Sequence, residues 1–236
     1  AIDSHVAYRL INPGYVLWWN LGIYQRDVTT FEEEPIFVNR LTKRNCMNCH
    51  SFCQNDPNRM MFHMRAQYGG SMFVVDDNIE KVDTKTDYTM SAGVYSSWHP
   101  DGKHIAYSVN KIYQNFHAHR DKSLHVYDTA SDIVIYDIEK KQVTTSPSVS
   151  TKRMENLPAW HPNGKDLYFI AADEYMERTK YSTVFYDLMH TSYDIKSNKW
   201  GEVTPLLTAE ETGQSITFPK VSPNGRYLMF TMSDYG

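Results

Sequence analysis

The sequence Trp98-His99-Pro100-Asp101-Gly102-Lys103-His104-Ile105-Ala106-Tyr107 is the clearest indication of the architecture, because the chain repeats it in register. The other two copies are Trp160-His161-Pro162-Asn163-Gly164-Lys165-Asp166-Leu167-Tyr168-Phe169 and Val221-Ser222-Pro223-Asn224-Gly225-Arg226-Tyr227-Leu228-Met229-Phe230. The copies begin 62 and 61 residues apart. A fixed period of this size predicts stacked or radial units and argues against one single-core fold.

Each copy reads as a tight turn that leads into a strand. Proline fixes φ at the first corner, the Asp or Asn side chain caps the turn, and glycine takes the position with φ above zero. The alternating apolar residues that follow indicate a strand. Two more strands are predicted in each unit, at 124–127 and 133–138 and then at 183–187 and 191–195. About four short antiparallel strands per unit is the content of a β-propeller blade.

A weaker copy of the unit begins near Phe52, which stands at the position of Trp98. Its turn is Asn55-Asp56-Pro57-Asn58-Arg59, and strands are predicted over 60–64, 71–75 and 79–82. The units resemble the TolB-like propeller repeats, whose blades begin Trp-Ser-Pro-Asp-Gly-Lys; here histidine replaces the serine in two copies. The resemblance covers residues 52–236. It implies an all-β propeller protein of the bacterial periplasm or outer envelope, and it does not imply an enzyme.

The segment Cys46-Met47-Asn48-Cys49-His50, directly before the first blade, matches the attachment pattern of c-type haem. Two thiols add across the two vinyl groups of one porphyrin, which fixes their separation, and the adjacent histidine can ligate the iron. The pattern therefore predicts covalent haem c, with Cys46 and Cys49 as thioether anchors and His50 as the proximal ligand. The whole chain resembles a family of bacterial secreted proteins that join such a motif to TolB-like blades.

Two other interpretations of the cysteines remain open at this point. Cys46, Cys49, His50 and Cys53 together supply three sulfurs and one nitrogen, which is a tetrahedral zinc set. Structural zinc sites usually draw their ligands from separated segments, whereas these four are crowded into positions 46 through 53. A redox-active or disulfide-bonded Cys-x-x-Cys pair is the third interpretation. The haem interpretation leaves Cys53 without a role.

The sixth iron ligand is sought close to the motif, among Met60, Met61, His63 and Met64. We expect His63 first and Met64 second, and Arg65 is expected to pair with a haem propionate. On a strand, Met60, Phe62 and Met64 share one face, while Met61, His63 and Arg65 share the other. The competing interpretation is that these side chains form the core of the blade, where methionine often fills gaps.

Composition excludes several classes of function. The chain has 236 residues and a formal net charge of −4, without a basic stripe, so nucleic acid is not an expected partner. A hydrophobic content of 41% supports a buried core. No apolar run approaches the length of a membrane span. Because c-type haem is attached outside the cytoplasmic membrane, the haem prediction also implies a periplasmic or outer-envelope location.

The predicted organisation has five parts: an N-terminal extended segment (1–45), the haem motif plus a first blade (46–97), a second blade (98–159), a third blade (160–220) and the first strand of a further blade (221–236). A closed ring typically needs four to eight blades. Either residues 1–44 supply the missing strands or the chain is a fragment of a longer protein, and the second is favoured. In the N-terminal segment, strands are predicted at 15–19 and 23–25.

Three functions fit these features. The leading hypothesis is electron transfer by a c-type haem propeller with a redox or envelope-assembly protein as partner. The alternatives are a protein-binding platform with a structural haem and a haem oxidoreductase with an open distal face. Trp18 and Trp19 are candidates to pack on the haem, although core packing is the expected role. His117-x-His119 is a weak metal candidate, and the recurrence of His99 and His161 in register indicates packing within the propeller.

Overall fold

The computed structural model describes residues 4–11, 20–115, 125–176 and 179–236, and almost all of its regular structure is antiparallel strand. The strands form five sheets that follow one another in chain order. No helix in the described part of the chain has the length and apolar character that a membrane crossing requires.

The sheets are built as follows. The N-terminal sheet contains β1 (His5–Ile11), β2 (Leu21–Asp27) and β3 (Glu33–Val38). The first blade contains β4 (Met47–Phe52), β5 (Arg59–Met64), β6 (Gly70–Val75) and β7 (Asn78–Val82). The second contains β8 (Val94–Trp98), β9 (His104–Asn115), β10 (His125–Asp137) and β11 (Gln142–Thr144). The third contains β12 (Met154–Trp160), β13 (Asp166–Ala172), β14 (Asp187–Asp194), β15 (Lys199–Trp200) and β16 (Thr204–Leu207). After the short helix α1 (Ala209–Thr212), β17 (Ser215–Val221) pairs with β18 (Leu228–Ser233).

The N-terminal sheet and the three blades pack on one another in order through clusters of buried apolar side chains, and β17 lies against β12 and β13 of the third blade. This packing of successive antiparallel sheets confirms the all-β propeller prediction. The strand β5 shows why the alternation matters: Met60, Phe62 and Met64 pack toward the N-terminal sheet, whereas Met61 packs toward the second blade. Both faces of the first blade are therefore buried. The sheets do not close into a ring within the described residues, as the prediction of an incomplete ring stated.

The repeated turn has the predicted conformation. Gly102, Gly164 and Gly225 have φ of 69°, 68° and 70°, the left-handed region that glycine enters without steric cost. The Oδ1 atom of Asp101 accepts hydrogen bonds from the backbone N–H groups of Lys103 (2.8 Å) and His104 (3.2 Å). The side chain thus caps the turn, as the Asp or Asn at this position predicts.

The blades in the structure begin earlier in the chain than the motif spacing predicted. We call the first strand of each of these sheets its inner strand (β4, β8, β12 and β17). The repeated turn joins the inner strand to the second strand, so the predicted boundaries at 98, 160 and 221 separate β8, β12 and β17 from their own sheets. Residues 125–127 and 133–137 of two predicted strands lie in the single strand β10, and residues 183–187 are mostly outside strands.

The N-terminal segment also differs from its prediction. It contains a three-stranded sheet, in which the predicted strand 23–25 lies within β2. Its strands pair only among themselves in the described chain, so they do not complete the sheet of β17 and β18. The predicted strand 15–19, with Trp18 and Trp19, lies outside the described residues.

Candidate functional site

The second cysteine of the motif lies at a backbone irregularity that all four inner strands share. Cys49 has φ 54°, and the pairing of β4 with β5 shifts register at this point. Equivalent residues of β8, β12 and β17 have nearly the same conformation: Tyr95 (50°), Leu157 (51°) and Phe218 (51°). A β-bulge of this kind bends a strand and redirects the side chains beside it. The haem motif therefore occupies the inner strand of the first blade, in register with the bulges of the later sheets.

The four bulges meet around a small cavity. Cys49, Tyr95, Leu157 and Phe218 all line this space of about 150 Å³, and Lys220 lies beside them. Burial lowers the pKa of the Lys220 ammonium group. Cys49 therefore lies where the inner strands of four sheets meet, and the other three sheets limit its contact with solvent.

His50 follows Cys49 and reaches two larger cavities. One, of about 620 Å³, lies between the N-terminal sheet and the first blade, and Ala7, Ile36, Phe52 and Met60 are among its lining residues. The other, of about 660 Å³, opens between the inner strands at the turn end of the blades. The Nε2 atom of His50 lies 3.3 Å from the carbonyl oxygen of Ala7. Burial lowers the pKa of His50, which favours the neutral imidazole that a metal ion requires.

The two motif cysteines are free thiols, and so is Cys53. Cys46 is buried in the apolar cluster that joins the N-terminal sheet to the first blade. The Nη2 atom of Arg9 lies 3.8 Å from its sulfur. Burial raises the pKa of both Cys46 and Cys49, against the opposing effect of the guanidinium groups of Arg9 and Arg65. Both sulfurs therefore remain protonated near neutral pH, and no disulfide occupies them.

The donor set fits a covalently attached haem in three respects. The thiols of Cys46 and Cys49 are unpaired, and His50 borders a cavity whose size falls in the range of about 300–1,000 Å³ typical of ligand sites. Apolar side chains form much of that cavity's wall. The Nε atom of Arg9 is buried without a hydrogen-bond partner among the described residues. A carboxylate such as a haem propionate would satisfy that cation.

The structure separates the two residues expected as sixth ligand. Met64 lies opposite Met47 in the strand pairing and shares the apolar cluster of Cys46. His63 lies opposite Asn48, so its side chain is on the face toward the second blade. Burial lowers the pKa of His63 to about 4, and its Nδ1 atom is buried without a hydrogen-bond partner in the described chain.

Arg65 lies near both thiols, and its pairing with a haem propionate stays a prediction. Its guanidinium group lowers the pKa of Cys46 and Cys49, and its backbone N–H donates to the carbonyl of Cys46 at 3.0 Å. Sequence reasoning missed Arg9, because 37 residues separate it from Cys46 and no pattern marks it. Met60 was named only as a minor candidate, although it borders the same cavity as His50.

The zinc interpretation of the cysteines is wrong. Cys53 belongs to the cluster between the first and second blades, while Cys46 belongs to the cluster on the other face of the sheet. Four ligands divided in this way cannot surround one ion at bonding distance. Among the described residues, the one group of three metal-ligating side chains within reach of a common ion is His99, Asp101 and His104.

The recurring histidines connect successive blades, whereas their recurrence predicted only a packing role in the blade. The Nε2 atom of His99 lies 2.9 Å from the carbonyl oxygen of Gly164, and that of His161 lies 3.1 Å from the carbonyl oxygen of Gly225. Cys53 occupies the same repeat position in the first blade and faces Gly102. This packing position accounts for the third cysteine. His117 and His119 lie outside the described residues.

Comparison with known proteins supports the fold. No family model and no curated protein matches the chain. Among solved structures, TolB from Acinetobacter baumannii superposes with a TM-score of 0.59 at 13% identity, over 96% of this chain. A luciferin-regenerating enzyme superposes with a TM-score of 0.57 at 12% identity, over 97% of this chain and 73% of its own. The present chain spans 46% of the length of that TolB. At such identities the likeness concerns the fold alone, and the fold that it shows is a β-propeller like that of TolB.

Proposed function

We propose that this protein is a c-type haem protein of the bacterial envelope and that it transfers electrons. The observation that carries the proposal is the position of Cys46-Met47-Asn48-Cys49-His50 on the inner strand β4. There, His50 borders a cavity of about 620 Å³, and the thiols of Cys46 and Cys49 on the same segment are free. The envelope location rests on the site of c-type haem attachment and on the resemblance of the blades to TolB-like repeats.

The chain's own residues have distinct parts in this proposal. Cys46 and Cys49 would hold the porphyrin through thioether bonds, and the neutral imidazole of His50 would ligate its iron. When bound, the haem iron supplies a one-electron redox centre. Arg9 and Arg65 supply positive charge near the anchors, where it opposes the rise that burial causes in the pKa of both thiols. Phe52 and Ile36 contribute apolar surface to the wall of the cavity.

The geometry favours a methionine as the second protein ligand. Met60 borders the cavity that His50 also borders, and Met64 lies in the same apolar cluster. His63 faces the adjacent blade interface, so it needs a rearrangement of β5 to reach that cavity. A thioether ligand raises the reduction potential of the iron relative to a second imidazole. We therefore place Met60 first and Met64 second in this role.

The test combines a pyridine haemochrome spectrum with intact-mass measurement of protein made in a host that attaches c-type haem. We expect one haem per chain, and its covalent attachment is lost when both Cys46 and Cys49 are changed to Ser. Cys53→Ser is the matched control and keeps the haem. A colourless wild-type protein, or attachment that survives the double substitution, refutes the haem assignment.

The spin state then separates the functional classes. A six-coordinate low-spin haem that becomes high-spin in Met60→Ala supports electron transfer with Met60 as ligand. A wild-type haem that is already high-spin and binds cyanide or carbon monoxide supports an oxidoreductase instead. A haem-free protein that retains a specific protein partner supports the binding-platform hypothesis.

A further inference from the structure

The turn of the second blade brings three metal-ligating side chains together away from the haem motif. The Nδ1 atom of His99 lies 2.9 Å from Oδ1 of Asp101, and the Nδ1 atom of His104 lies 2.8 Å from Oδ2 of the same carboxylate. The ligating atoms of all three residues lie within 4.8 Å of one another. Two imidazoles and one carboxylate are a common donor set for Zn²⁺ with an open fourth position.

The hydrogen bonds around His99 fix its tautomer. The backbone N–H of Asp101 donates to Nδ1 at 3.1 Å, so that nitrogen carries a lone pair. The proton is then on Nε2, which donates to the carbonyl of Gly164 at 2.9 Å. Oδ1 of Asp101 lies 2.9 Å from the same nitrogen, so a cation held by both atoms would take the Nδ1 lone pair in place of the backbone N–H. The ring is held in this position, because it is 6% exposed and packs edge-on against Trp160 at 4.9 Å.

The surrounding groups complete the arrangement that metal-binding histidines usually have. A ligating histidine typically donates its other N–H to a carbonyl or a carboxylate. His99 does so to Gly164, and the Nε2 atom of His104 lies 3.4 Å from Oδ2 of Asp137. The neighbouring cations are paired elsewhere, Lys103 with Glu139 and Lys140 with Asp137, each at 2.8 Å.

The third blade shows that this donor set is not simply a requirement of the turn. There Asn163 replaces the aspartate and Asp166 replaces the second histidine. The Oδ1 atom of Asn163 caps the turn by accepting from the N–H groups of Lys165 and Asp166, as Asp101 does in the second blade. The amide of Asn163 donates to Asp166 at 2.6 Å. The turn therefore folds without the aspartate and the second histidine, whereas the first histidine is kept as His161 with the same two hydrogen bonds. The fold requires neither Asp101 nor His104 in these places, which leaves them free for another role.

We propose that His99, Asp101 and His104 bind one divalent first-row transition-metal ion, with Zn²⁺ as the probe. The site lies at the contact between the second and third blades, since His99 also bonds to Gly164. Binding therefore joins the two blades and stabilises the folded protein. The proposal does not depend on the haem, because none of these residues belongs to the haem motif.

Calorimetric titration of the purified full-length chain with Zn²⁺ tests the proposal. We expect saturable binding of one ion, and Asp101→Asn and His104→Gln each weaken it by at least about tenfold. Asp101→Asn is expected to fold, because the third blade uses asparagine in the same turn. His190→Gln is the matched control: its Nε2 lies 2.8 Å from Asp166, a similar His–Asp pair without a third ligand, and the variant keeps full affinity.

Two further arms assign the ion to this site. Co²⁺ in place of Zn²⁺ gives a d–d spectrum without a thiolate charge-transfer band, because the ligands are nitrogen and oxygen. A double variant, His117→Gln with His119→Gln, retains binding. Unchanged affinity in Asp101→Asn, loss of binding in the 117/119 variant, a thiolate band, or no saturable binding by the wild type overturns the proposal.

Discussion

Replacing Gly164 by alanine tests the blade-to-blade contact directly. Its φ of 68° costs an alanine about 1–2 kcal/mol. The added Cβ would lie 2.9 Å from Nε2 of His99 and 3.2 Å from Cγ of Pro100, and crowding of this kind in a packed core costs about 1–3 kcal/mol. Any shift that relieves it lengthens the His99–Gly164 hydrogen bond, which contributes about 0.5–1.5 kcal/mol. We therefore expect Gly164→Ala to lower the free energy of unfolding by about 3–6 kcal/mol, measured by urea denaturation.

Gly213 provides the matched control, because its φ is 70° and nothing lies within 4 Å of its virtual Cβ. Gly213→Ala should lose only the conformational part, about 1–2 kcal/mol. A double-mutant cycle with His99→Ala adds a second check, since removing the ring removes the clash. The combined variant should be less destabilised than the sum of the two single variants by about 1–3 kcal/mol. Equal losses at the two glycines, or strict additivity in the cycle, refute this account of the interface.

Three further predictions concern half-buried polar residues. Burial raises the pKa of Asp128 to about 6, whereas its pKa in the unfolded chain is about 4. The protonated carboxyl therefore stabilises the fold fully below about pH 4, and this stabilisation is lost as the pH rises through about 6. Between these two pH values, urea titrations should show that the wild type loses about 3 kcal/mol of unfolding free energy relative to Asp128→Asn. Ser97→Ala removes the acceptor that the backbone N–H of Trp160 contacts at 3.0 Å, and the same assay should show a loss of about 1–3 kcal/mol. Arg9→Gln should raise the pKa of the Cys46 thiol and so slow its alkylation in haem-free protein. Arg26→Gln is the control: it alters an exposed ion pair with Glu33 and should leave the alkylation rate unchanged.

The sequence was sufficient for the features that depend on local chemistry. Proline, Asp or Asn, and glycine predict the repeated turn because each has its own backbone preference, and the structure has that turn in three sheets. Alternation along 60–64 predicted the two faces of β5 correctly. Both predictions needed only neighbouring residues.

The inner strands were less accessible to prediction, and their shared bulge is the reason. The left-handed residue in each of them interrupts the two-residue alternation that marks a strand, and Leu157 and Phe218 carry no sign of a positive φ. The motif likewise indicated haem chemistry without indicating which cavity His50 borders. The surroundings of His50 depend on the N-terminal sheet, because Ala7 contacts His50 and Arg9 contacts Cys46. Both residues lie far from the motif in the sequence.

The histidine-to-glycine contact between blades has a consequence for how such proteins change size in evolution. Residues 154–214 contain both halves of that contact: His161, which reaches forward, and Gly164, which accepts from the unit before it. A tandem duplication of this stretch would insert one more blade whose two boundaries are already complementary. The number of blades can therefore grow or shrink by recombination between repeats, with the haem-motif strand left intact at one end.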